Sequence, residues 1–210
     1  MPRRRDPGRE RSIYELHAQS PLDVTGPERH TTDGRKQQEQ RIRMMDAEAK
    51  KTALRMIPYA MYVMTAEAGG EIAAATVNWV TQTAFAPPLL VVGLKVDSNA
   101  YGTIKKAGCF ALNILGRGQK ATAFTFFKPV KKEGERIGGE PYRTGSTGAP
   151  IFDNAIASIE CKIVEIVERG DHHIVIGEVV DANVEKDPEG RPDKAILPMS
   201  ELGDNVFYGG

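Results

Sequence analysis

The stretch Glu71–Leu115, EIAAATVNWVTQTAFAPPLLVVGLKVDSNAYGTIKKAGCFALNIL, decides the fold. It reads as strand, Pro-Pro corner, strand, short helix, strand. The first strand is apolar, yet it carries Thr76, Asn78 and Trp79 close together. Polar groups in a half-buried strand need partners, because each unpaired one costs folding a few kcal/mol. Ala73 to Ala75 are small and let a flat group approach the backbone. Pro87 and Pro88 cannot sit inside a paired central strand, so they fix a turn. Leu89 to Val96 is a strongly apolar strand that ends in Asp97-Ser98-Asn99. Ser98 or Asn99 is the predicted cap of the next helix. Side-chain donors and free amides at a helix start make an anion site. The expectation is a sheet surface that takes a planar ring, beside a helix end that takes a phosphate.

Working outward, residues 1 to 35 are rich in Arg, Gly, Pro, Asp and Thr, and hold too little apolar area to offset ordering. A mobile tail is expected there. From residue 36 to 56, helix formers predominate, and Ile42, Met45, Ala49, Ala53 and Met56 recur at helical spacing. Pro58 ends that helix. Tyr59 to Ala66 reads as a strand, and Gly69-Gly70 as its hairpin turn. Gln119 to Lys128 reads as a short helix, and residues 128 to 150 as a long irregular loop. The segment from 150 to 184 reads as two antiparallel strands joined at Gly170-Asp171, with Gly177 marking a bulge or close approach. Phe207 and Tyr208 are candidates to dock the terminal segment. Many short strands with few helices between them predict a mainly β, closed or nearly closed antiparallel barrel spanning residues 36 to 210.

The totals exclude several function classes. The 210 residues carry 28 basic and 28 acidic side chains, so no global charge points to nucleic acid or an anionic membrane. No run approaches the roughly 18 apolar residues of a membrane span. The basic start is followed by no signal-peptide core, which predicts a cytoplasmic protein. Cys109 and Cys161 sit in separate apolar strands and read as buried thiols, a disulfide or metal pair being the rarer alternative. His172 and His173 are neighbours on one strand and face opposite ways, which disfavours a shared metal ion. No Gly-x-Gly-x-x-Gly follows a strand, so a Rossmann dinucleotide site is unsupported. No nucleophile set stands out.

Six ordered pieces resemble the flavin reductase-like, FMN-binding split-barrel family. They are TVNWVTQTAFAPP; DSN before a short helix; GCFALNIL; Gln119 with Ala123 and Phe126; GAPIF with IASIEC; and GDHHIVIGEV. The likeness runs from about residue 53 to 184 and is greatest to the reductase domains of diflavin flavoproteins and rubredoxin-linked reductases. It implies an antiparallel split barrel that binds FMN, with FAD as the alternative, and a homodimer. It also implies hydride transfer from NAD(P)H to the flavin, and an electron acceptor such as a monooxygenase, an iron protein or oxygen. Two other readings stay open: a non-enzymatic FMN electron carrier and a pyridoxamine-phosphate-oxidase-like enzyme. By the resemblance, Thr76, Val77, Asn78 and Trp79 line the ring and its side chain, with Thr81 and Gln82 at the edge. Ser98, Asn99 and Thr103 hold the phosphate, with Lys95 nearby. Asn113, Gln119, Ala123 and Phe126 close the pocket, and His172 stands near the flavin or the nicotinamide. Many relatives carry Arg just before the phosphate-binding Ser; this chain has Asp97.

Overall fold

The computed structural model describes residues 45–210. The expected tail and the helical pattern before residue 45 lie outside the described residues. Helix α1, Ala47–Arg55, starts at a true cap: Asp46 Oδ1 accepts from the amides of Glu48 and Ala49. Among the described residues this helix begins at residue 47, with Asp46 outside it as the cap. Its apolar stripe buries no residue among those described.

Seven strands form the main sheet: β1 Tyr62–Ala68, β2 Glu71–Val77, β3 Val80–Phe85, β4 Pro88–Lys95, β5 Cys109–Ile114, β10 Ala157–Val167 and β11 His172–Val184. Their order is β2-β1-β5-β10-β11-β4-β3, and every neighbouring pair is antiparallel. The hairpin between β1 and β2 turns at Gly69 and Gly70, both at positive φ (61° and 82°), as a tight hairpin requires. Between β4 and β5 lies helix α2, Asn99–Ala107, which ends on a left-handed Gly108.

The chain passes from β2, at one edge of the sheet, to β3, at the other, through Asn78 and Trp79 alone. Three Cα steps reach at most about 11 Å. A flat sheet with six strand spacings is about 29 Å wide. The sheet must therefore coil until its two edges almost meet. No ladder joins β2 to β3, so the sheet is strongly curled but open; of the closed or nearly closed barrel expected, the fully closed form is not seen.

Each face of the coil has its own core. On one side Met64, Val92, Phe110, Leu112, Cys161 and Val175 pack against Ala100 and Ile104 of α2. On the other, Met61, Val63, Leu115 and Phe126 pack against Leu197 and Leu202 of the terminal segment. Strand β1 feeds both cores, which explains why Val63, Met64, Thr65 and Ala66 are all buried. The close approach expected at Gly177 is present: a Cβ there would lie 2.7 Å from Phe110 Cζ and 2.8 Å from Cys161 Cβ.

The region from residue 128 to 150 is more regular than a loop. It holds β6 Lys132–Glu133, β7 Arg136–Ile137 and β8 Glu140–Thr144, which with β9 Pro150–Phe152 form a second, four-stranded sheet. Helix α3, Lys120–Thr125, precedes it. The turn after β8 is fastened by the buried Glu160, whose carboxylate accepts from the amides of Ser146 and Thr147 and from the Thr147 hydroxyl. A Cβ at Gly145 would lie 2.6 Å from that carboxylate, so glycine is needed there. Both cysteines are free thiols, and burial pushes Cys161 up to about 12.

Burial acts to raise the Glu160 pKa, but the hydrogen bonds from Thr147 and Ser146 outweigh it and hold the group below its usual value. A depressed carboxylate stabilises the fold above its unfolded pKa and loses that contribution as pH falls through the folded value. Glu160→Gln is expected to lower unfolding free energy by about 1.5–3 kcal/mol at pH 7. Urea denaturation should show the gap closing below pH 4, and a constant gap from pH 7 to 3 would refute the account. Gly177→Ala is expected to cost about 1–3 kcal/mol by overpacking against Phe110, read as a lowered thermal midpoint.

Candidate functional site

A cavity of about 360 Å³ opens where the sheet edges approach each other, within the size range of small-molecule sites. Thr76, Val77 and Asn78 form one wall; Gly93, Lys95 and Ser98 form another. Phe126 and Phe127 come from the end of α3, and Val206, Phe207 and Tyr208 come from the terminal segment. Of the residues singled out in the sequence, Thr76, Val77, Asn78, Lys95, Ser98 and Phe126 line this cavity.

The wall has a local cause. Thr76 fastens the edge strand β2 to helix α3: its amide donates to Phe126 O (3.0 Å) and its hydroxyl to Ala123 O (2.7 Å). Thus Ala123, itself buried, acts through its carbonyl beneath the wall rather than in it. The next residues leave the ladder, and Trp79 O accepts from Gly93 N at 2.9 Å. The indole lies over Gly93, where a Cβ would come within 3.0 Å of Trp79 Cε3. Among the described residues, Asn78 Nδ2 and Trp79 Nε1 are buried donors with no protein partner. An unpaired buried donor costs about 1–3 kcal/mol, and such groups in native proteins call for a specific explanation.

At the polar end, the helix-start residues behave differently from expectation. Ser98 is the N-cap of α2 by position, but its hydroxyl donates to Lys95 O (2.7 Å) and makes no cap bond. Asp97 pairs with Lys95 at 3.1 Å, so the acid next to the expected phosphate site is already matched with a cation. The hydrogen bond to Asp97 raises the Lys95 pKa and keeps the ammonium charged.

Beside the indole stands an aromatic cluster. The His172 ring lies 4.5 Å from that of Trp79, and the Tyr208 ring lies 5.5 Å from it in an edge arrangement. His172 Nδ1 is 3.0 Å from Asp171 Oδ1, and His172 Nε2 is 2.7 Å from the Tyr208 hydroxyl. A carboxylate only accepts, so the neutral ring carries its proton on Nδ1, and Nε2 accepts from Tyr208. Burial raises the Tyr208 pKa, which keeps its hydroxyl a donor. His173 faces the other way and meets the Tyr101 hydroxyl at 2.6 Å, as strand alternation requires. No group of three or more metal-binding side chains occurs among the described residues.

The remaining predicted residues lie outside the cavity lining. Thr81 and Gln82 sit exposed on β3 and bond locally, to Gln82 O and Ala84 O. Asn99 is exposed in the first turn of α2, and Thr103 is buried within that helix. Asn113 is a structural clamp: its amide donates to Val63 O and Thr65 Oγ1, and its Oδ1 accepts from Phe152 N. Gln119 braces a turn by bonding Gly116 N and Asn154 O. The terminal residues Val206 to Tyr208 were missed as site residues; their one sequence signal was a pair of aromatics at an otherwise polar end.

The chain belongs to the flavin reductase like domain family, which matches residues 54–199. A Rhizobium meliloti protein named "Probable flavin reductase" is 36% identical over 137 residues, covering 65% of this chain. The chain spans only 43% of that relative's length. A ferric-chelate reductase (NAD(P)H) of Archaeoglobus fulgidus is 33% identical over 138 residues, 63% of this chain and 80% of the relative. Among solved structures, an NADH:FAD oxidoreductase of Streptomyces globisporus in complex with NAD and FAD fragments superposes with a TM-score of 0.55 at 26% identity. That match covers 65% of this chain and 88% of the other.

The residues present fit a flavin. A wall of Thr76, Val77 and Gly93, with Trp79 behind Gly93 and outside the lining, an unpaired Asn78 amide and a cationic end beside a helix start suit a flat heteroaromatic ring with carbonyl edges and a phosphate. Trp79 is the sole tryptophan of the chain, so its emission reports on this site alone. Gly93→Val is expected to displace the indole and shift that emission, with folding retained by circular dichroism. An unchanged spectrum would show that the indole does not rest on Gly93.

Proposed function

We propose that the protein is an NAD(P)H-dependent flavin reductase with FMN as its flavin. The observation that carries this is the buried Asn78 amide, which belongs to a residue lining the cavity and has no partner among the described residues. When bound, FMN supplies the hydride acceptor at N5: NAD(P)H and a proton become NAD(P)⁺ and reduced flavin, which passes two electrons onward. The chain itself binds, orients and excludes water. Asn78 would donate to a carbonyl edge of the ring, and Gly93, backed by Trp79, would leave room for it. Lys95 and the amides at the start of α2 neutralise the phosphate, where charge-assisted hydrogen bonds are worth about 1.5–3 kcal/mol each. FMN is preferred over FAD because the cavity's polar end offers one cation and one helix start, sufficient for a single phosphate. Names of relatives, one of them a reductase using NAD(P)H, support the reaction class.

In this reading the curled sheet is a split barrel that works as a homodimer in the cytoplasm. The electron acceptor is a monooxygenase, an iron protein or oxygen. Stopped-flow mixing of the FMN-loaded protein with NADH or NADPH tests the reaction: rapid bleaching of the flavin band is expected. An oxidised band that persists would refute reductase activity and favour an electron carrier. Asn78→Ala is expected to weaken FMN binding by about tenfold, the equivalent of one buried hydrogen bond, as read by quenching of Trp79. Equal affinities for FMN and riboflavin would remove the phosphate site from Lys95 and α2.

A further inference from the structure

The terminal segment 203–210 is placed oddly for a chain end. It has no regular structure, yet Val206, Phe207 and Tyr208 line the cavity on one side and a second cavity, under Pro58 and Tyr59, on the other. The segment is thus a thin partition with space on both faces. Its ties are sparse. Among the described residues, its own backbone makes one internal bond, Val206 N to Gly203 O, and none to the sheet ladder. The Tyr208 hydroxyl donates to His172, and Gly209 O accepts from Arg55 Nε at a long 3.4 Å. The Arg55 guanidinium also lies 4.5 Å from the centre of the Phe207 ring. Phe207 and Tyr208 remain about half exposed (50% and 45%).

A second observation bears on the same place. Gly209 lies against the indole, where a Cβ would be 3.7 Å from Trp79 Nε1. That nitrogen is one of the two buried donors without a partner. Closing the segment over the indole therefore carries the cost of a donor cut off from water, offset by the Tyr208–His172 bond and aromatic contact. Few ties and one unpaid donor leave the closed arrangement only modestly favoured, which is the condition for a segment that opens and closes.

We propose that Tyr208 is a positioning residue that latches the terminal segment over the cavity through His172, and that this latch sets how long a bound flavin stays. The proposal rests on the flavin reading of the cavity and adds to it the residue that determines retention versus release. With the latch made, the segment walls the cavity opposite Asn78 and holds the His172 ring against Trp79. With it broken, the cavity is open along the face now lined by Val206, Phe207 and Tyr208.

The test measures flavin release, not turnover. FMN-loaded protein is diluted into excess apoflavodoxin-type scavenger, and recovery of Trp79 emission gives the rate. Tyr208→Ala is expected to release FMN about tenfold faster, and Tyr208→Phe, which keeps the ring and loses the hydrogen bond, about threefold faster. Removing residues 203–210 should be at least as fast as Tyr208→Ala. Thermal midpoints of the two point variants should stay within a few degrees of the parent, since Tyr208 is about half exposed. Release rates within twofold of the parent in both Tyr208 variants would overturn the latch while leaving the flavin reading intact. Failure of FMN to quench Trp79 in the unaltered chain would overturn both.

Discussion

Everything about the site depends on a short bridge. Two residues, Asn78 and Trp79, carry the chain from one edge of a seven-stranded sheet to the other. Because so short a link cannot span a flat sheet, it forces the coil, and the coil brings β2 and β4 face to face across a gap. The same two residues leave the hydrogen-bonding ladder at that gap, so their side-chain donors arrive where no strand can satisfy them. The fold thus creates a slot with Asn78 in its lining and, outside that lining, an indole N–H that Gly209 covers.

The polar end follows a different logic. Lys95, Asp97 and Ser98 are close in sequence and form one small network: ion pair, hydroxyl to Lys95 carbonyl, then helix start. Such exposed pairs contribute little to stability. Their use is positional. Asp97 holds the ammonium near the start of α2, where backbone amides already favour an anion. An acid that looks out of place beside a phosphate becomes, in the structure, the brace that orients a cation.

Much of this was legible in the sequence wherever a residue's role is local. Gly69-Gly70, the alternation of His172 and His173, the close approach at Gly177 and the strand character of Glu71 to Leu115 all follow from backbone preference or strand period. Thr76, Asn78, Lys95, Ser98 and Phe126 were placed by resemblance, and the cavity brings them together. What failed depended on distant partners. Asn113 and Gln119 look like ligand-facing amides until β9 and the turn after β5 claim their hydrogen bonds. The segment from 128 to 150 reads as loop because its strands are two to five residues long, below the length at which periodicity speaks. The terminal segment shows its two candidate docking aromatics, Phe207 and Tyr208, but not where they dock, because that depends on Trp79 and His172, more than thirty residues upstream. The choice between a closed and a nearly closed barrel was also unreadable, since closure turns on whether two edge strands share a ladder.

The buried thiol at Cys161 has a chemical consequence. Burial pushes the thiol up to about 12 and keeps it protonated at neutral pH, and it is the thiolate that peroxides attack. It lies fully enclosed beneath Phe110 and the glycine of β11. Enclosing this sulfur, and raising its pKa, leaves oxidants without a ready target at this position, in contrast to the half-buried Cys109 of β5.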